Sequence, residues 1–125
     1  MMNFYRVEHP EDGRGPYRRP DLDVDLDSQA TERHPLHGNL DQAFRWRGIR
    51  FAFSDVASLC VWFNSRERRL CREAGYVMAV YAVEPEAWLE GNRQVVFDDE
   101  RAVRVEVREL PENVEGDMQL RLFAP

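Results

Sequence analysis

The sequence contains no lysine: all 17 of its basic residues are arginine, and isoleucine and threonine occur once each, at Ile49 and Thr31. That pattern follows coding composition and carries no functional weight. The charge balance does carry some. The 23 acidic residues outnumber the arginines, leaving a net charge of −6. A general nucleic-acid surface needs excess positive charge to neutralise phosphates, so this class is disfavoured and a basic protein partner fits better. Long apolar runs are missing too. None approaches the ~20 residues that a helical membrane span needs, and Met1-Met2-Asn3-Phe4-Tyr5-Arg6 has no signal-peptide pattern. The expectation is a cytoplasmic protein with neither a membrane nor a nucleic-acid partner.

Cysteine is scarce. Cys60 and Cys71 fall on one predicted helix, where a rise of ~1.5 Å per residue separates them by about 16 Å, too far for a disulfide. Neither has a metal-ligand spacing to the other or to His9, His34 or His37. Pro35 interrupts the one close histidine pair, so no metal is expected. The alternating Asp21, Asp23, Asp25 and Asp27 resemble the start of a calcium loop, but the required glycine and glutamate do not follow in place. Phosphate-binding glycine loops, nucleophile elbows and zinc motifs are all absent.

What is present centres on residues 50–83. The aromatic run Phe51-Ala52-Phe53 reads as a strand. After it, apolar residues recur at Val56, Leu59, Cys60, Phe63, Leu70 and Ala74 near the helical period. This predicts one main helix over residues 54–74, with Ser54 as N-cap and Asp55 favourably placed near the helix dipole. Arg66, Arg68, Arg69 and Arg72 lie off the apolar stripe, and Gly75 stands where a left-handed residue ends the helix. Residues 76–83, apolar on both faces, predict a central strand.

The remaining segments fall into place around this unit. Residues 3–9 predict a first strand. Residues 10–48 form a long polar and acidic connection, with a helical turn over 40–46 at its end. Residues 84–90 read as a turn or short helix opened by Pro85. Residues 93–97 form a short strand, and residues 102–110 a half-exposed one, with Val103, Val105 and Val107 alternating against Arg104, Glu106 and Arg108. Residues 119–123 suggest a final edge strand. The 125 residues suffice for one domain with one core. The class is α+β: a single mixed or antiparallel sheet of about five to six strands packed on one main helix.

Three short pieces in strand order carry a resemblance. They are Phe4-Tyr5-Arg6-Val7 on the first strand, Phe51-Ala52-Phe53-Ser54-Asp55 at the strand-to-helix turn, and Arg93-Gln94-Val95-Val96-Phe97 late in the chain. This order resembles the arginine–serine–glutamate group of ADP-ribosyltransferases. That group includes the RES-type toxins and small phage-encoded transferases, some of them anti-CRISPR or other anti-defence proteins. The resemblance implies an ADP-ribosyltransferase-like fold and NAD as cofactor. It assigns Arg6 to an NAD phosphate, for which a guanidinium fork is suited, Ser54 to the nicotinamide ribose, and Tyr5, Tyr17 or Phe53 to stacking on nicotinamide.

Gln94 stands where that group has its glutamate. A neutral amide can hydrogen-bond a ribose hydroxyl but lacks the charge that stabilises the ribosyl cation. The expectation is therefore weak or absent transferase activity, unless Glu84, Glu86 or Glu90 takes the role. Two functions stay open. One is an NAD-binding transferase-like protein, active or degenerate, that acts on a protein target. The other is a small acidic phage or mobile-element protein that inhibits a host defence (CRISPR-type) or regulatory protein by direct binding, without catalysis.

Overall fold

In the computed structural model, residues 1–16, 45–91 and 93–112 are described. The polar connection over 17–44, including Tyr17, and the strand expected at 119–123 lie outside them. The described elements run in the order β1 (Met2–Glu8), β2 (Ile49–Ala52), α1 (Val56–Trp62), α2 (Ser65–Glu73), β3 (Val77–Val83), β4 (Trp88–Glu90), β5 (Val95–Asp98), a 3-10 turn (Asp99–Arg101) and β6 (Ala102–Arg108). The class is α+β, as expected. The arrangement differs, because the strands form two three-stranded antiparallel sheets in place of one, in the orders β1-β3-β6 and β2-β5-β4.

Strand β3 is central, and the reason is visible in its sequence. Both of its faces are apolar, and each meets a different layer. Met78, with Val7 of β1, packs against Leu59, Cys60, Trp62, Phe63 and Cys71 of the helical segment. Ala79, Tyr81 and Val83, with Phe4, pack against Ala52, Val95 and Phe97 of the second sheet. The first sheet is thus sandwiched between helices and the second sheet. The chain crosses between the sheets at Phe53, which exchanges two backbone hydrogen bonds of 2.8 Å with Tyr5. This junction joins the edge of β1 to the end of β2.

The expected single helix is two. Asp55, not Ser54, caps α1: its carboxylate accepts from the Ser58 amide at 2.7 Å, and Ser54 is exposed. The chain turns extended at Phe63 and Asn64, and Asn64 opens α2 with a capping box. Its side chain accepts from the Glu67 amide at 2.9 Å, while Glu67 accepts from the Asn64 amide at 3.1 Å. Two donors left orphaned at a helix start are satisfied together, so a new helix competes well with continuation. Arg68 completes the break. It is 0% exposed and donates to the carbonyls of Cys60 and Phe63, where α1 ends, and to that of Pro111 at 2.8 Å. The helical period had placed this arginine off the apolar stripe; it is buried because it caps a neighbouring helix end. Cys71 is buried, and burial pushes its thiol up to about 12. Gly75 ends α2 as expected, with φ +95°.

Over residues 84–90 the expected turn is present and a short helix is not. Pro85 and Glu86 form a turn, with Glu86 at φ 70°, and the following Trp88–Glu90 is strand β4, paired with β5. Strand β6 departs from its half-exposed pattern. Among the described residues it is the outer strand of its sheet, and Val103, Val105 and Val107 are 61%, 55% and 45% exposed. The β3–β6 register slips at Val105: Val80 pairs with Glu106, while Tyr81 pairs with Arg104. Such a bulge reverses which face the following residues point to. It brings Arg104 onto the face of Tyr81 and Phe4, and it places valines on both sides of the strand.

Candidate functional site

Alternation along β1 puts Phe4, Arg6 and Glu8 on the face toward the second sheet, and Tyr5 and Val7 on the helix side. Arg6 and Glu8 therefore lie side by side between the sheets, and the Arg6 Nε donates to the Glu8 carboxylate at 2.9 Å. The Tyr81 hydroxyl on β3 reaches Glu8 at 2.8 and 3.0 Å. Arg104 on β6 donates to it at 3.0 Å, and the Arg50 guanidinium on β2 stands 3.6 Å away. Glu8 is wholly buried. Four strands from both sheets meet at this carboxylate.

The turn after β1 closes the cluster. It is held by the His9 amide donating to the Arg14 carbonyl at 2.9 Å and the Gly13 amide to the His9 carbonyl at 2.8 Å. The Gly13 carbonyl accepts from Arg6 at 2.9 Å and from Arg50 at 2.8 Å. A glycine is required there: φ is +74°, and an added Cβ would stand 2.5 Å from the Arg50 guanidinium. Arg6 makes a third bond, to the Phe51 carbonyl at 2.9 Å. Arg50 also approaches Asp99 at 3.5 Å and lies 5.8 Å from the centre of the Tyr81 ring.

The cluster has little capacity for acid–base work. An ionised carboxylate offers about four acceptor positions, and Arg6, Arg104 and Tyr81 occupy three of them. Burial, and then the Glu8 charge, push the Tyr81 hydroxyl up to about 12. Burial holds the Arg6 guanidinium below its ordinary value, against the raising influence of Glu8. The arrangement binds loop, strands and sheets together. Among the described residues no group of His, Cys, Asp and Glu could hold a metal ion, and no helix is long and apolar enough to cross a membrane.

Of the residues singled out in the sequence, Arg6 and Ser54 each adjoin the backbone bridge between Tyr5 and Phe53. Arg6 follows Tyr5, which bridges Phe53, and Ser54 follows Phe53. The β2–β5 register ends at Ala52 opposite Val95, so Gln94, one residue before β5, lies outside it. Their side chains part company. Arg6 turns between the sheets to Glu8, and Ser54 is exposed. Gln94 is buried at the β4–β5 hairpin, where its carbonyl accepts from the Gly91 amide at 2.8 Å. Tyr5 and Phe53 pack on the helix side, Phe53 with its ring 6.0 Å from Trp62. Glu84, Glu86 and Glu90 are exposed. Sequence reasoning missed Glu8, Arg50, Tyr81 and Arg104. The only hint was the Arg6–Glu8 alternation beside a glycine-bearing turn.

A family model described as Bacteriophage T4 Y00F protein matches residues 2–111, and the chain belongs to that family. The match begins with β1 and ends at Pro111, which Arg68 holds, so it spans every described element. No curated protein and no solved structure matches.

Proposed function

We propose that this phage-family protein acts by binding another protein, without catalysis, and that the outer edge of β6, unpaired among the described residues, is where the partner docks. One observation carries this reading: an outer strand presents three exposed valines, Val103, Val105 and Val107. Edge strands carry unpaired backbone groups that template another strand, and proteins commonly blunt them. Adding a partner strand to such an edge is a recurrent recognition mode. The partner class is a host defence or regulatory protein. The net charge of −6 favours one with a basic surface. The test is affinity capture from host lysate with the wild-type chain and with Val103→Asp/Val107→Asp. Stoichiometric capture of one protein by the wild type, lost in the variant, is expected. Capture of no specific protein, or equal capture by both, removes the reading.

A second reading, an ADP-ribosyltransferase-like NAD-binding protein, draws on Arg6 and Ser54 adjoining the backbone bridge between Tyr5 and Phe53. It requires the Arg6 guanidinium to exchange its bonds to Glu8, Phe51 and Gly13 for a phosphate. Titration calorimetry with NAD separates the two. Heat of binding that is lost in Ser54→Ala and Gln94→Ala favours the NAD site, and no heat at millimolar NAD leaves the binding protein.

A further inference from the structure

The Glu106-Val107-Arg108 segment of the β6 edge is complementary to itself. We infer that, when no other protein occupies this edge, a second copy of the chain covers it in a two-fold antiparallel pair centred on Val107. The inference rests on the same edge as the binding function, unpaired among the described residues, and names its default occupant.

A two-fold axis through Val107 sets each Glu106 opposite Arg108 of the second copy and Val107 opposite Val107. An isologous interface makes each favourable contact twice. Glu106 and Arg108 share one face of the sheet and already pair within the strand, Arg108 donating to both Glu106 oxygens. Both side chains are about half exposed. In the two-copy sheet each glutamate is flanked by its own arginine and by that of the other copy, giving an alternating ring of four charges. Val107, on the opposite face, meets its counterpart at cross-strand distance.

Competing registers are worse for stated reasons. Centring the pair on Glu106 or on Arg108 sets like charges directly opposite, which destabilises a sheet. Centring it on Val105 sets Arg104 against Glu106. The slip at Val105 puts those two residues on opposite faces, and Arg104 is held inward by Glu8. Shifting by a single position removes every cross-strand ion pair within β6. Only the pairing about Val107 satisfies charge and face together.

Sedimentation of the full chain from micromolar to millimolar concentration tests this. The expected mass rises from 14.7 kDa toward twice that value, with weakening at high salt. Glu106→Arg alone and Arg108→Glu alone each weaken the association about tenfold or more. The double swap Glu106→Arg/Arg108→Glu restores it, because every opposite-charge pair is remade. A chain that stays monomeric at millimolar concentration overturns the inference, and so does a dimer indifferent to the charge swaps or one that the double swap fails to restore. Both residues are exposed, and circular dichroism of each variant confirms that the fold is unchanged. A monomeric chain that still captures a host protein through Val103 and Val107 overturns self-pairing alone. A dimer that obeys the swaps and captures nothing supports self-pairing and removes the heterologous reading.

Discussion

Replacing Glu8 with glutamine probes the centre of the fold. The substitution keeps shape and volume, removes the negative charge and turns one acceptor oxygen into a donor. Three guanidiniums and one hydroxyl then face a group that can accept only half of what they offer. Arg50 and Arg104 are partly open to water, with side chains 25% and 38% exposed, and they recover some hydration. Arg6 is 8% exposed and cannot. Breaking one partner out of a buried ion pair costs about 3–5 kcal/mol, against a total stability of about 5–15 kcal/mol for a domain. For a chain of this size the loss corresponds to a fall in melting temperature of roughly 10–20 °C. Urea unfolding followed by the fluorescence of the three tryptophans, with thermal melting by circular dichroism, measures it. A Glu8→Gln protein within about 1 kcal/mol of wild type would refute the claim that this carboxylate holds the two sheets and the turn together.

Tyr81 makes stability fall in alkali. Its hydroxyl titrates near 10 when unfolded and near 12 when folded, so the unfolded chain releases the proton first. Stability is undiminished below pH 10 and declines between 10 and 12 by up to about 1.36 kcal/mol per pH unit; the same titration of Tyr81→Phe lacks this contribution. Gly75→Ala forces an alanine into a left-handed conformation, with its Cβ 3.2 Å from the His9 ring, and costs about 1–2 kcal/mol in urea unfolding. Asn64→Ala removes one half of the capping box and lowers stability by about 0.5–2 kcal/mol, read by the same assay.

Local chemistry made several elements legible. Gly75 ends a helix because its left-handed conformation carries no Cβ penalty there, and the apolar run behind it is central because a strand buried on both faces needs no alternation. The break at Asn64 was also written locally, in the spacing of Asn64 to Glu67, but the continuing apolar period masked it. For the site, the sequence pointed to Arg6 and to the neighbourhood of Phe53, and it did not identify what Arg6 does.

The cluster around Glu8 joins residues far apart in the chain: Tyr81 lies 73 positions from Glu8 and Arg104 lies 96. Alternation shows that Arg6 and Glu8 share a face. It does not show that a second sheet covers that face, or that Arg50 arrives there from β2. The bulge at Val105 is similarly invisible, since the alternation through β6 reads unbroken while the register against β3 slips and redirects Arg104. The same alternation promised a buried valine face on β6. Burial depends on what packs above a strand, and neither the helices nor the second sheet shields these valines from solvent. The sequence by itself thus determined the α+β class, the approximate places of β1, β2, β3, β5 and β6, and which segments are apolar. Only the tertiary structure decided which faces are covered and which charges meet, because those depend on partners that come together only when the layers pack.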